Sequence, residues 1–172
     1  MGIKEKYASR KLQQLIAKQQ RTPIIPKLSL HSKVGVIWQP SEKPAVKYLR
    51  NYFNQHGAIF RDYCIFDSDS NPATEANSLT INDLNWWGIP KPEKVSDFIE
   101  MKLDLLLCLA SEKNYAVDYI TALSHAKFKI GSSETDNSYF DLNIKIGQNK
   151  DTMFLAQQQI FYLAQLNNTT DS

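Results

Sequence analysis

Short runs of β-branched and aliphatic residues alternate along this chain with stretches whose apolar positions repeat at helical spacing, and Gly, Pro, Asn and Asp punctuate the boundaries. From Ile3 to about Gln20, free of Gly and Pro, Ala8, Leu12, Leu15 and Ile16 gather on one side at roughly 100° per residue, which predicts an amphipathic helix. Thr22-Pro23-Ile24-Ile25-Pro26 stops it, because proline removes a donor and biases the preceding residue toward extended geometry. Lys33 to Gln39 reads as a first strand, and Val46, Leu49 and Phe53, with Ala45 and Tyr52 beside them, as the inner face of a helix. Gly57 follows that helix where a left-handed cap is expected. A second strand covers about Ala58 to Phe66, and the polar stretch from Asp67 to Asn82 has the composition of a loop.

Leu84 to Pro92, with Trp86 and Trp87, is too punctuated for a helix or a central strand and reads as a connecting loop. A helix from Pro92 to about Lys102 turns Val95, Phe98 and Ile99 inward. Leu103 to Leu109, almost wholly apolar, predicts a central strand covered on both faces. A helix over Tyr115 to Ala126, strands at Lys127 to Gly131 and Leu142 to Ile146, and a closing helix over Asp151 to Leu166 complete the reading. The alternation predicts an α/β fold: one three-layer Rossmann-like or flavodoxin-like domain of about five mostly parallel strands, with helices on both faces, preceded by a basic amphipathic helix. By analogy the strand order is 2-1-3-4-5, with the last strand a candidate antiparallel edge. Residues 1–27 read as helix and linker, 28–168 as the α/β domain and 169–172 as a polar tail.

Charge changes the picture at one end. The first 27 residues hold seven Lys or Arg (Lys4, Lys6, Arg10, Lys11, Lys18, Arg21, Lys27) against Glu5 alone, whereas the rest holds 13 basic and 17 acidic side chains. A basic arm on a mildly acidic body is suited to an acidic partner, either nucleic acid or protein, with Lys6, Arg10, Lys18 and Arg21 opposite the apolar stripe; a second copy of the chain is a further candidate partner. Cys64 and Cys108 lie inside strand-like runs without CxxC spacing, as expected of reduced, buried thiols. No apolar run is long enough to span a bilayer and no secretory signal is evident, so a cytoplasmic location is expected.

Candidate chemistry sits at the predicted strand ends, where ligands bind in such sheets. Asp67 and Asp69, separated by Ser68, follow the second strand; paired carboxylates there can hold Mg²⁺, and one can act as a nucleophile. The motif resembles the opening of haloacid-dehalogenase-type phosphatases, with Ser111, Lys127, Glu134 and Asp136 in the order in which that superfamily supplies its phosphate-binding and second acidic residues. It departs from that pattern because another strand precedes it and Asn71 stands where Thr or Val is usual, and Asp-Ser-Asp-Ser-Asn-Pro is ordinary turn composition. Ser111, Asn114, Ser132 and Ser133 mark a second candidate, a small-ligand pocket, although Gly131 to Asp136 has one glycine where phosphate loops need several. His31, His56 and His125 have no metal-ligand spacing, and no metal site is expected. Exposed, Trp86 and Trp87 stack on a base or anchor an interface; packed beneath their loop, they close one end of the core.

The start Met1-Gly2-Ile3-Lys4-Glu5-Lys6, the strand Lys33-Val34-Gly35-Val36, Asp83-Leu84-Asn85-Trp86-Trp87-Gly88, Leu103-Asp104-Leu105-Leu106 and the run from Ala122 to Gly131 resemble a family of small uncharacterised bacterial proteins of unknown function. The resemblance covers most of the chain and implies a cytoplasmic single-domain α/β protein. It carries over no catalytic residue. The reading that follows is a non-enzymatic binding module in which the basic helix and the Trp86-Trp87 loop meet an acidic partner, without a cofactor. The alternative is a Mg²⁺-dependent phosphatase or phosphotransferase with Asp67 as nucleophile and Asp69 as acid and base.

Overall fold

A computed structural model describes residues 1–68, 77–110, 112–135, 139–148 and 150–170. In chain order the elements are α1 (Ile3–Ala17), β1 (Lys33–Trp38), α2 (Lys43–Gln55), β2 (Ile59–Ile65), β3 (Ser78–Leu79), α3 (Pro92–Ile99), β4 (Leu105–Cys108), α4 (Tyr115–Leu123), β5 (Lys129–Gly131), β6 (Leu142–Asn143) and α5 (Thr152–Thr170). The strands form one sheet in the order β3-β2-β1-β4-β5-β6. Every pairing is parallel.

The predicted α/β class and the expected order of the five predicted strands both hold, and two details differ. The stretch expected to be loop contributes β3, because Cys64 N donates to Asn77 O at 3.0 Å, Phe66 N donates to Leu79 O at 2.8 Å, and Leu79 is buried. A strand of two residues is too short to show alternation in the sequence. The last strand is also parallel, not antiparallel, with Ile130 opposite Leu142 and Gly131 opposite Asn143. It covers only the first two of the five expected residues.

Period-2 alternation sorts the sheet's side chains into two cores. Val34, Val36 and Trp38 of β1, with Leu105 and Leu107 of β4, pack against Val46, Leu49 and Phe53 of α2 and Leu155 and Leu163 of α5. Ile37, Leu106 and Cys108 point the other way, into a core with Val95 and Phe98 of α3, Ile120 of α4, and Ala8 and Leu12 of α1. Gly57 ends α2 at φ +74°, the left-handed cap that its position predicts.

The N-terminal helix is thus part of the second face. Tyr115 Oη donates to Ala8 O at 2.8 Å, Gln19 Nε2 donates to Leu123 O, and Gln13 Nε2 reaches Tyr139 Oη at 3.5 Å. The described residues joining β5 to β6 form no helix, and α1 packs against α4. Leu12 is 2% exposed. Leu12→Ala is expected to lower unfolding free energy by about 2–4 kcal/mol, whereas Gln14→Ala, on the exposed side, stays within about 0.5 kcal/mol; urea titrations of the two variants check the contrast.

Candidate functional site

The turn between β3 and α3 is built by side-chain caps. Thr80 N and Thr80 Oγ1 both donate to Asp83 Oδ2, at 2.9 and 3.0 Å, and Lys94 Nζ lies 3.2 Å from Asp83 Oδ1. Burial alone would raise the Asp83 carboxyl, but the Thr80 and Lys94 contacts outweigh it and hold the group below its usual range. Leu84 bridges Pro90 in antiparallel fashion, and Asn85 Oδ1 accepts from Trp87 N at 2.9 Å and Ile89 N at 3.1 Å. Gly88, at φ +77°, closes the turn. With the backbone amides of Trp87 and Ile89 both directed at Asn85, the two indoles are displayed outward: Trp86 is 77% exposed and Trp87 38%. Of the two sequence readings for this pair, the structure fits the exposed one.

This loop meets the N-terminal helix. Tyr7 of α1 packs on Trp87 with ring centroids 4.5 Å apart, and Lys4 Nζ stands 3.8 Å from the Trp86 ring centroid. Lys6 and Arg10, both exposed, flank Ile3 and Tyr7 along a shallow groove on the outer side of α1. Four of the anticipated binding residues, Lys6, Arg10, Trp86 and Trp87, therefore belong to one continuous surface. Lys4 and Tyr7, which link its halves, were not singled out in the sequence. Their only signal is an aromatic residue three positions from Lys4 and three from Arg10, on the polar side of an amphipathic helix.

Lys18, at the C-cap of α1, is exposed. Arg21 is placed differently from the outward position its spacing suggests. Its Nη1 donates to Asp141 Oδ1 at 2.9 Å and its Nη2 pairs with Asp141 Oδ2, while Nε donates to Ala126 O at 2.8 Å and Nη2 to Lys127 O at 3.3 Å. The extended chain after α1 swings the guanidinium back onto the strand edge, where a planar fork satisfies a carboxylate and two carbonyls at once. Asp141 Oδ2 also accepts from Lys129 N at 2.8 Å.

Of the strand-end candidates among the described residues, one pair is joined, Asp67 and Asn114. Asp67 is exposed, and both its oxygens accept from Gln39 Nε2 at 3.0 Å; Asn114 Nδ2 donates to its Oδ1 at 2.7 Å. The carboxylate thus links the ends of β1 and β2 to the start of α4. Asn114 caps that helix, its Oδ1 accepting from Ala116 N at 2.9 Å and Val117 N at 3.3 Å. Ser133 exchanges hydrogen bonds with Asn143 at 2.7 and 2.8 Å and meets Thr135 Oγ1 at 3.0 Å, and Ser132 beside it is half-buried. Asp69 and Ser111 lie outside the described residues. Among the described residues no three His, Cys, Asp or Glu side chains form a group fit to hold a metal ion. Burial pushes the Cys108 thiol up to about 12, so it is no thiolate near neutral pH, and Cys64 is likewise buried and free of any disulfide.

Lys129 is 2% exposed, and its Nζ donates to Thr121 O at 2.7 Å and Ala122 O at 3.0 Å at the end of α4. Burial, and then the Arg21 charge, draw its ammonium down from 10.5 to about 7, with Asp141 opposing. The unfolded chain therefore binds more protons than the folded one above about pH 7, and stability from this group rises with pH. Cys108, raised from 9.0, works in the opposite sense above about pH 9. Unfolding free energy is expected to climb between these limits by up to about 1 kcal/mol per pH unit from Lys129, and Lys129→Met is expected to flatten that slope, as chemical denaturation at pH steps across the window can show.

Among the described residues no helix is long and apolar enough to cross a membrane. No curated protein and no solved structure matches the chain. A family model matches residues 4–166, a span holding all but the first residue of α1, all the strands, the Trp86-Trp87 turn and most of α5. The match agrees with the resemblance read from the sequence: the chain belongs to DUF6913, a family of unknown function.

Proposed function

We propose that this protein is a binding module that holds an acidic, base-bearing partner, single-stranded nucleic acid, on the surface shared by α1 and the Trp86-Trp87 turn. The observation that carries this reading is Trp86, 77% exposed with Lys4 Nζ 3.8 Å from its ring centroid. An indole face open to solvent offers a platform for a base, and the neighbouring ammonium groups offer charge to the phosphates on either side. Tyr7, Trp87, Lys6 and Arg10 extend the same alternation of ring and cation along the helix. Stacking tolerates any base, so the recognition is of backbone charge and base planes rather than sequence. An acidic protein satisfies the charges but leaves the open indole face without a flat partner, which is why the nucleic acid is preferred.

Fluorescence anisotropy with labelled single-stranded RNA and DNA, using the full chain at low and moderate salt, tests the reading. Trp86→Ala is expected to weaken binding by about 1–3 kcal/mol without altering its salt dependence. Lys6→Glu with Arg10→Glu is expected to reduce the slope of log affinity against log salt by about 1.4, two single-strand phosphate contacts. Failure of both nucleic acids to bind at low salt would discard the nucleic-acid reading, and salt-sensitive, Trp86-dependent retention of an acidic protein would put that class in its place.

A further inference from the structure

The closing helix has a composition unlike the rest of the molecule. At the chain's 22% of charged residues, a stretch of 19 residues would hold about four, yet α5 holds no Lys, Arg, Asp or Glu. Its inner side is already occupied: Leu155, Ala156 and Leu163 are buried in the core shared with α2, and Gln159 Nε2 donates to Cys108 O at 2.9 Å. Its outer side carries no charge, unlike most solvated helix faces, and mixes amides such as Gln157 and Gln165 with large rings. Phe154 is 44% exposed, Phe161 52% and Tyr162 40%, with the Phe161 and Tyr162 rings edge to face at 5.4 Å.

The outward positions have an order. Phe154, Gln157, Phe161 and Ala164 are exposed and follow one another at spacings of three, four and three, the interval at which one helix meets another along a seam. The face lacks the Lys and Arg that border an interfacial membrane helix, which argues against a lipid surface as its cover. A charged partner would find no complement on it. A copy of itself meets no like-charge repulsion, and its glutamines supply both donors and acceptors to each other.

We infer that this face of α5 is the contact between two copies of the chain, with the helices antiparallel about a two-fold axis. Antiparallel pairing sets the opposed ends of the helix dipoles side by side. Phe161 lies midway between Thr152 and Thr170, so the axis passes by Phe161 of each copy, and Gln157 faces Gln165 of the partner subunit. The inference is independent of the surface formed by α1 and Trp86, which lies on the opposite side of the sheet from α5.

Sedimentation velocity of the full chain at micromolar concentration tests it. The wild type is expected at twice the 19.7 kDa chain mass and Phe161→Glu at the single mass, with unchanged circular dichroism. Gln157→Lys with Gln165→Lys is expected to dissociate the pair, whereas Gln157→Lys with Gln165→Glu, which places opposite charges across an antiparallel seam, retains it. A wild type of single mass overturns the inference, as does a dimer that Phe161→Glu leaves intact. Equal behaviour of the two charge pairs overturns the antiparallel arrangement.

Discussion

The docking of α1 is the contact on which the rest of the molecule depends. A parallel sheet buries both faces, and here the face that carries α3 and α4 is completed by a helix that precedes the sheet in sequence. Ala8 and Leu12 supply the apolar part of the contact, while Tyr115, Gln19 and Arg21 fix its register through carbonyls at Ala8, Leu123 and Ala126. Because these hydrogen bonds run from the middle of α1 to the segment just past its C-terminus, α1 is fixed in rotation about its own axis. That rotation decides which side chains meet the loop before α3, and so sets Lys4 and Tyr7 against the two indoles.

Much of this was legible from local pattern. Strands β1, β2, β4 and β5, and all five helices, arise from runs long enough for period 2 or 3.6 to register, and the buried Leu105–Cys108 run marks the sheet centre by composition alone. What escaped depends on partners distant in sequence. Ser78 and Leu79 become a strand only because Cys64 and Phe66 offer them a free edge. Leu142 pairs in parallel with Ile130, a direction that its own alternation does not encode. Arg21 reads as one more cation on a basic face until Asp141, far along the chain, claims it.

The same logic separates the two candidate sites. The acidic motif after β2 suggested chemistry because carboxylates close in sequence are the visible part of many metal sites. Gln39 and Asn114, the donors that meet Asp67, lie 28 and 47 residues away and leave no local trace. In contrast, the Trp86-Trp87 turn is specified nearby: Thr80, Asp83, Asn85 and Gly88 each fill a turn position whose geometry requires a residue of that kind. Its exposure follows from those local bonds, whereas its pairing with α1 does not.

Sequence separation also bears on how the molecule assembles. The hydrogen bonds that seat α1 and Arg21 reach across 104 to 126 residues, further than any strand pairing of β1, whose neighbours β2 and β4 lie closer along the chain. At synthesis rates of about 5–20 residues per second, α1 waits roughly 5–25 s for its dock to emerge. During that interval its apolar stripe is available to chaperones and its cations to any polyanion, and the long loop it must close makes it a slow step in reaching the native state. The helix that holds the finished fold together is thus the element whose contacts form late, and the growing chain exposes a basic, amphipathic segment that the folded protein half conceals.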